Sequence, residues 1–223
     1  MSDDELLEAI EFANEGKAPP PFGSLEFTIS CSPVSIQAKK QGKDEYIERV
    51  RAAFAGEDYL MIGDISIELR WWISAKSRYE TDASADIDNV LKPTIDALTG
   101  PDGLFIDDCQ VRSLHIAWSH SMSGNEYIEV RIHFIPDEWS SRDDVVFIDV
   151  GQGLCVLAPK SLPMEAKTVW TDLLTKMTLF KEKFLSLGVA YPIVAGFQGA
   201  PRPFHKTRVR GFKVVSIDQY GQS

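Results

Sequence analysis

One segment of the chain, residues 85–111, carries a dense group of acidic side chains around a single lysine. The group consists of Asp86, Asp88, Lys92, Asp96, Asp107 and Asp108. Like charges packed this closely destabilise a fold unless a cation or a shifted proton relieves the repulsion. A divalent ion held by carboxylate oxygens, Mg²⁺ or Mn²⁺, provides that relief directly. The segment therefore constrains the chain to a fold that brings these carboxylates to one place, with a metal ion between them.

The middle of this segment predicts an amphipathic helix from Asp88 to Leu98. Its apolar stripe consists of Leu91, Ile95 and Leu98. Pro93 lacks an N–H and removes a hydrogen bond from a helix interior, so the helix is expected to begin close to Asp88. Gly100 follows as a C-terminal stop. Asp86 and Asp88 then lie at the helix entrance, where the helix dipole favours negative charge.

Helical spacing places Asp88, Lys92 and Asp96 on one face, since they are four residues apart in turn. The chain then turns and returns, and we expect one member of the Asp107–Asp108 pair to come back to the helix entrance beside Asp86. Carboxylates that converge there can hold one or two metal ions, which activate water. Lys92 is suited to neutralise charge on a scissile phosphate. This equipment is suited to phosphodiester hydrolysis.

The remaining pattern predicts an α+β fold, in which a mixed sheet packs against helices and a smaller α+β extension follows. In the first part, strands are predicted over Ser24–Ser30, Met61–Ile73, Arg112–Ser119 and Tyr127–Ile135, a helix over Asp44–Phe54, and a polar loop over Ser74–Ser84. In the extension, a hairpin is predicted over Val145–Val150 and Leu154–Leu157, a helix over Met164–Leu187, and strands over Ala190–Gly196 and Val209–Ile217. We therefore divide the chain into an acidic arm with a Pro-rich linker (1–22), a central domain (23–136) and an extension of unknown role (137–223).

The net charge of −10 argues against a simple nucleic-acid binder, because phosphate contacts need Lys and Arg. The charge is uneven: residues 1–22 carry −5, residues 23–136 carry −7, and residues 137–223 carry +2. Two basic groups are candidates for DNA contact, with a solvated surface as the alternative for each. They are Lys39, Lys40 and Lys43 near the first predicted helix, and Arg208 and Arg210 near the C-terminus.

Neither a secretory signal nor a membrane span nor a disulfide framework is expected from this sequence. No run of eighteen apolar residues is present, so no membrane span is expected. The acidic N-terminus does not resemble a secretory signal. Cys31, Cys109 and Cys155 are odd in number and far apart, which fits neither a disulfide framework nor a zinc site. A cytoplasmic location is therefore expected.

The order of polar residues in the acidic segment resembles the RusA family of Holliday junction resolvases. The matching positions are Asp86, Asp88, Asn89, Lys92, Asp96-Ala97-Leu98, Asp107-Asp108, Gln110 and Val111. An upstream loop, Cys31–Ser35, followed by Lys39-Lys40 and Tyr46, is similar to the family's Pro-x-Ser loop and basic first helix. The resemblance covers residues 23–136.

The resemblance implies a RusA-like domain that is a Mg²⁺-dependent homodimeric endodeoxyribonuclease, with Mn²⁺ as the alternative ion. Such enzymes cut four-way DNA junctions by paired symmetric cuts in recombination and repair. The implied metal ligands are Asp86, Asp88 and Asp108, and Lys92 is the implied catalytic lysine. Around them, Asp107, Asp96 and Asn89 are expected to support the site.

Two other functions remain open at this point. The chain could be a non-cleaving or autoinhibited junction-binding module, in which the acidic arm occupies the DNA groove. It could also keep the nuclease chemistry but act on other branched DNA, such as flaps or forks.

Overall fold

The computed structural model describes residues 2–81, 84, 86–196 and 202–222, and the chain divides into two compact units, residues 1–142 and 143–223. Both units mix helices with β-sheet, so the predicted α+β class is confirmed. No helix within the described residues is long and apolar enough to cross a membrane.

The first unit is built on a four-stranded mixed sheet. Its elements are α1 (Asp3–Asn14), β1 (Ser24–Ile29), α2 (Lys40–Ala52), β2 (Tyr59–Met61), β3 (Ile65–Ile73), α3 (Ala75–Glu80), α4 (Ile87–Leu98), β4 (Val111–His120), β5 (Tyr127–His133) and β6 (Trp139–Ser141). The sheet order is β1-β5-β3-β4, in which β3 and β4 are parallel and the other neighbours are antiparallel. Strands β2 and β6 form a separate antiparallel pair.

Apolar and polar residues alternate along β3, and this alternation determines which face of the sheet is buried. Ile65, Ile67, Leu69, Trp71 and Ile73 are buried, whereas the side chains between them are not. Because successive residues of a strand point to opposite faces, one face of the sheet packs on helices and the other meets solvent. The buried face joins the apolar stripes of α2 and α4 in one core.

A buried hydrogen bond also links the two helices on this core. The hydroxyl groups of Tyr46 on α2 and Thr94 on α4 lie 2.8 Å apart. Because a buried polar group without a partner is costly, this bond favours one register of α4 against α2. It therefore helps to fix the helix that carries the acidic face.

Three sequence expectations for the first unit need correction. The strand predicted over Met61–Ile73 is interrupted, since residues 62–64 separate β2 from β3. The loop predicted over Ser74–Ser84 contains α3, which Ser74 caps by accepting a hydrogen bond from the Ser77 N–H. The helix predicted over Asp44–Phe54 begins earlier, at Lys40. Helix α3 was missed because its six residues make too few turns for a helical period of apolar residues to be recognised.

The second unit contains another four-stranded sheet. Its elements are β7 (Val145–Gly151), β8 (Leu154–Pro159), α5 (Met164–Ser186), α6 (Tyr191–Gly196), β9 (Phe204–His205), β10 (Val214–Ser216) and α7 (Ile217–Tyr220), with the sheet order β10-β7-β8-β9. The predicted hairpin is confirmed, and its turn at Gly151, Gln152 and Gly153 has positive φ at all three residues. Glycine tolerates that backbone, which explains the two flanking glycines.

Of two further strands predicted in the second unit, one is wrong and the other is confirmed over only part of its length. Ala190–Gly196 contains the short helix α6, because Pro192 lies in the first turn, where the missing N–H costs little. Val209–Ile217 is extended only over Val214–Ser216. A short apolar run does not distinguish a strand from a helical turn.

Arg142 is expected to contribute strongly to the stability of the first unit. Its guanidinium donates to four backbone oxygens, those of Pro101 (2.6 Å), Gly103 (2.7 Å), Glu57 (2.9 Å) and Tyr59 (3.2 Å). Arg142→Ala leaves these carbonyls without a partner, so we expect a loss of about 2–4 kcal/mol in the free energy of unfolding. Urea denaturation followed by circular dichroism measures it.

Two further variants make this test specific. Arg142→Lys keeps the charge but cannot reproduce the planar fork, so it should recover only part of the loss. Asp102 lies between Pro101 and Gly103, and its Oδ2 is 3.1 Å from Nη1 of Arg51. Arg51→Ala removes this partly exposed ion pair and should lower the free energy of unfolding by at most about 1 kcal/mol. Equal effects of Arg142→Ala and Arg51→Ala would contradict the assigned role.

Candidate active site

Helix α4 carries Asp88, Lys92 and Asp96 on one face. Its interior proline leaves one backbone carbonyl without a partner in the helix, and a neighbouring loop donates to that carbonyl. Asp86 is the N-cap residue, and its carbonyl accepts from the N–H groups of Asn89 (3.0 Å) and Val90 (3.3 Å). Pro93 has no N–H for the carbonyl of Asn89, four residues earlier. That carbonyl instead accepts from the Ile36 N–H at 2.8 Å. The loop before α2 is thereby attached to the first turn of the helix.

Lys92 lies between two carboxylates on this face. Its ammonium pairs with Asp96 one turn further along, and it lies 3.5 Å from Oδ2 of Asp108. The hydrogen bond that Lys92 donates to Asp96, and then the nearby charges of Asp96 and Asp108, raise the pKa of Lys92 above its usual range. The lysine therefore stays charged at neutral pH, with its side chain half exposed.

Asp88 and Asp108 line one open cavity of about 320 Å³ together with Lys92 and Arg112. Asp88 comes from the first turn of α4, and Asp108 begins a short 3₁₀ turn, Asp108–Gln110, just before β4. The predicted return of the chain thus brings one member of the second aspartate pair to the helix. The rest of the cavity lining includes Leu91, Ile95, Val111 and Leu114. The cavity is open to solvent, so a large substrate can reach its charged side chains.

The loop that carries Asp108 is held by a buried glutamine. Oε1 of Gln110 accepts from the N–H groups of Ile106 (2.8 Å) and Asp107 (3.0 Å). Its Nε2 donates to the carbonyls of Met61 (3.0 Å) and Gly63 (2.8 Å). Gln110 is 0% exposed, so its whole amide is satisfied by backbone groups. Gln110 was predicted only as a position of the motif, and its hydrogen bonds to the backbone were not predicted.

The neighbouring Asp107 caps the same turn. Its Oδ1 accepts from the Cys109 N–H at 3.1 Å, and with Gln110 it completes a capping box. Asp107 is therefore engaged with the backbone, and Asp108 is the member of the pair that faces the cavity.

Asp86 is not among the residues that line this cavity. Its Oδ1 lies 4.0 Å from Nη1 of Arg78, and its side chain is largely exposed. Neither Arg78 nor Arg112 was predicted, and the sequence gives no periodic signal for either. Throughout the part of the chain that the structure describes, no group of three or more His, Cys, Asp or Glu side chains is arranged to hold a metal ion.

The donor chemistry of Asp88 and Asp108 nevertheless fits a hard divalent cation. Mg²⁺ keeps several waters and is commonly bound by one or two carboxylates together with substrate phosphates. Two carboxylates on one open cavity meet that requirement, and Asp86 is only two residues from Asp88. The ammonium of Lys92 already offsets part of the negative charge there.

The predicted DNA-binding residues lie in both units. Lys39 and Lys40 are exposed at the start of α2, and Lys43 lies on its first turn. Arg208 and Arg210 are exposed in the second unit. Within the first unit, Lys39, Lys40 and Lys43 are not among the residues that line the cavity of Asp88 and Asp108.

Comparison with known protein families identifies the family of this chain. The model of the family endodeoxyribonuclease RusA matches residues 15–133, more than half of the chain. This range contains α4, the Asp107–Asp108 turn and the cavity between them. A search of curated proteins finds no match. The chain therefore belongs to the RusA family of Holliday junction resolvases and is an endodeoxyribonuclease.

Proposed function

We propose that the chain resolves Holliday junctions by paired symmetric cuts that depend on Mg²⁺. The observation that carries the proposal is the shared cavity of Asp88, Lys92 and Asp108, inside the part that matches the family. Exposed ion pairs contribute little stability, so the pairing of Lys92 with these half-exposed carboxylates is not needed to hold the fold together.

The carboxylates of Asp88 and Asp108 would hold the ion, with Asp86 as a third ligand from the same helix entrance. When bound, Mg²⁺ supplies Lewis acidity and lowers the pKa of bound water. The ammonium of Lys92 neutralises charge on the scissile phosphate, and Asp96 keeps it charged and oriented. Asp107 and Gln110 fix the turn that carries Asp108. Water attacks phosphorus and the 3′ oxygen leaves, which gives 5′-phosphate and 3′-hydroxyl ends.

A homodimer accounts for the pairing of the cuts. A four-way junction has approximate two-fold symmetry, and a two-fold dimer presents two identical sites to opposing strands. In this proposal Lys39, Lys40 and Lys43, with Arg208 and Arg210, contact the DNA backbone. Their positive charge offsets part of the net −10.

A cleavage assay tests the proposal with a synthetic four-way junction and the full-length chain. We expect symmetric nicks in the presence of Mg²⁺ and a fall of about 100-fold or more when EDTA replaces the ion, because the ion contributes several kcal/mol to charge stabilisation. Readdition of Mg²⁺ should restore cleavage, and Mn²⁺ should substitute for it.

The same assay separates the proposal from the alternatives. Flaps, forks and linear duplex of matched sequence should be cut at least about 10-fold more slowly than the junction. Faster cleavage of flaps or forks would move the assignment to another branched substrate. Tight junction binding without cleavage under any divalent ion would instead favour the non-cleaving module.

A further inference from the structure

Helix α5 exposes an apolar stripe that the second unit does not cover. The helix has 23 residues, and Val169, Leu173, Phe180 and Leu187 just beyond its end are 69%, 42%, 43% and 66% exposed. They recur at helical spacing and so lie along one line of the helix surface. Phe184 lies beside this line, and its ring centroid lies 4.2 Å from that of Phe180. Exposed apolar surface of this kind is typical of interaction sites.

The stripe is distinct from the face that α5 turns to its own sheet. Leu174 is buried in the core of the second unit, and Lys167 is buried with its ammonium 5.3 Å from the ring centre of Tyr220. At 100° per residue these two lie roughly a quarter-turn or more from the stripe. The core of the second unit is therefore complete without the stripe.

Charged residues on the solvent side of the stripe have a symmetric order. Glu165 and Asp172 lie in the N-terminal half, and Lys176 and Lys183 lie in the C-terminal half. Their spacings of seven, four and seven residues keep all four on one side of the helix. The four positions are symmetric about residue 174, and each acidic residue on one side of it corresponds to a basic residue at the same distance on the other side. Within one helix, Asp172 already pairs with Lys176 one turn further along. In an antiparallel second copy of α5, Glu165 of each helix faces Lys183 of the other, and the two central Asp172–Lys176 pairs face each other in reversed order.

We propose that the exposed stripe of α5 is a self-association surface, on which a second copy of this chain packs its own α5 in antiparallel orientation. Apolar side chains form the seam, and the four charges on each helix select orientation and register, as flanking charges do in coiled coils. A two-fold axis near the middle of the helix makes the contact self-complementary. The surface lies outside residues 15–133, the part that matches the family, and the proposal does not depend on the nuclease activity.

Complementary charge reversal tests the antiparallel pairing in the full-length chain. In one variant, Glu165→Lys and Asp172→Lys make the flank wholly positive. In the other, Lys176→Glu and Lys183→Glu make it wholly negative. Sedimentation equilibrium should show that each variant alone associates about 10-fold or more weakly than the native chain, because like charges now face each other. An equimolar mixture should recover native association, since every cross-pair is again opposite in sign.

The apolar seam has a control on the same helix. Phe180→Glu should weaken association by about 10-fold or more, whereas Thr175→Glu should leave it unchanged. Thr175 is exposed and lies on the opposite side of α5 from the stripe, clear of its charged flank. All these variants leave the first unit unchanged, so any association through the first unit is the same in each of them. A difference in association between the variants therefore reports on α5. A native chain without concentration-dependent association, or a mixture as weak as its components, would overturn the proposal. The nuclease proposal is tested separately with Asp88→Asn, and its outcome does not change the interpretation of the association measurements.

Discussion

Asp88→Asn should abolish junction cleavage, with a loss of about 1,000-fold or more in the single-turnover rate, while the folded structure and junction binding persist. The substitution removes one of the two carboxylates on the Asp88–Asp108 cavity and keeps the size of the side chain. A neutral amide is a far weaker ligand for Mg²⁺, and a 1,000-fold loss corresponds to about 4 kcal/mol of transition-state stabilisation. Binding should be retained or tightened, because a negative charge is removed beside the phosphates.

Asp108→Asn should behave in the same way, since Asp108 lines the same cavity. Asp137→Asn is the matched control: Asp137 is an exposed aspartate in the turn after β5, away from the cavity. Cleavage rates and electrophoretic binding would be measured side by side for the three variants. Full cleavage by Asp88→Asn or Asp108→Asn would refute the proposed site. A loss of the same size in Asp137→Asn would show that the effect is not specific to the cavity.

The elements that the sequence predicted well are those with a long regular pattern. Strand β3 shows alternation over nine residues, and α4 shows an apolar stripe over 12. The short helices α3 and α6 were missed because fewer than two turns do not establish a period. Their signals were local instead, a capping Ser74 and a Pro192 in the first turn.

In the candidate site, too, the local contacts could be predicted from the sequence and the long-range contacts could not. Lys92 and Asp96 are one helical turn apart, so their pairing followed from the sequence. The approach of Asp108 depends on hydrogen bonds between Gln110 and backbone groups 47 and 49 residues earlier in the chain. No local pattern encodes such bonds. The proximity of Arg78 to Asp86 likewise depends on how α3 packs.

Gln110→Leu should destabilise the first unit and misplace Asp108. Leucine is similar in size, but it leaves the N–H groups of Ile106 and Asp107 and the carbonyls of Met61 and Gly63 without their partner. Buried groups left unpaired cost about 1–3 kcal/mol each, so after partial rehydration we expect a loss of about 3 kcal/mol or more in the free energy of unfolding. A displacement of Asp108 by about 1 Å should lower the cleavage rate by about 100-fold. Urea denaturation and single-turnover cleavage measure the two effects.

Gln110→Glu distinguishes positioning from general stability. An ionised carboxylate still accepts the two N–H bonds but can donate to neither carbonyl, whereas a protonated one can donate once. Its stability deficit should therefore be larger at about pH 8 than at about pH 5. Gln41→Leu, on the exposed face of α2, is the control and should change stability by no more than about 0.5 kcal/mol. If Gln110→Leu cleaves junctions at the native rate under conditions where it is folded, the turn does not need this side chain to present Asp108. A cleavage rate that falls with junction affinity unchanged would instead show that the buried amide sets the position of the catalytic carboxylate.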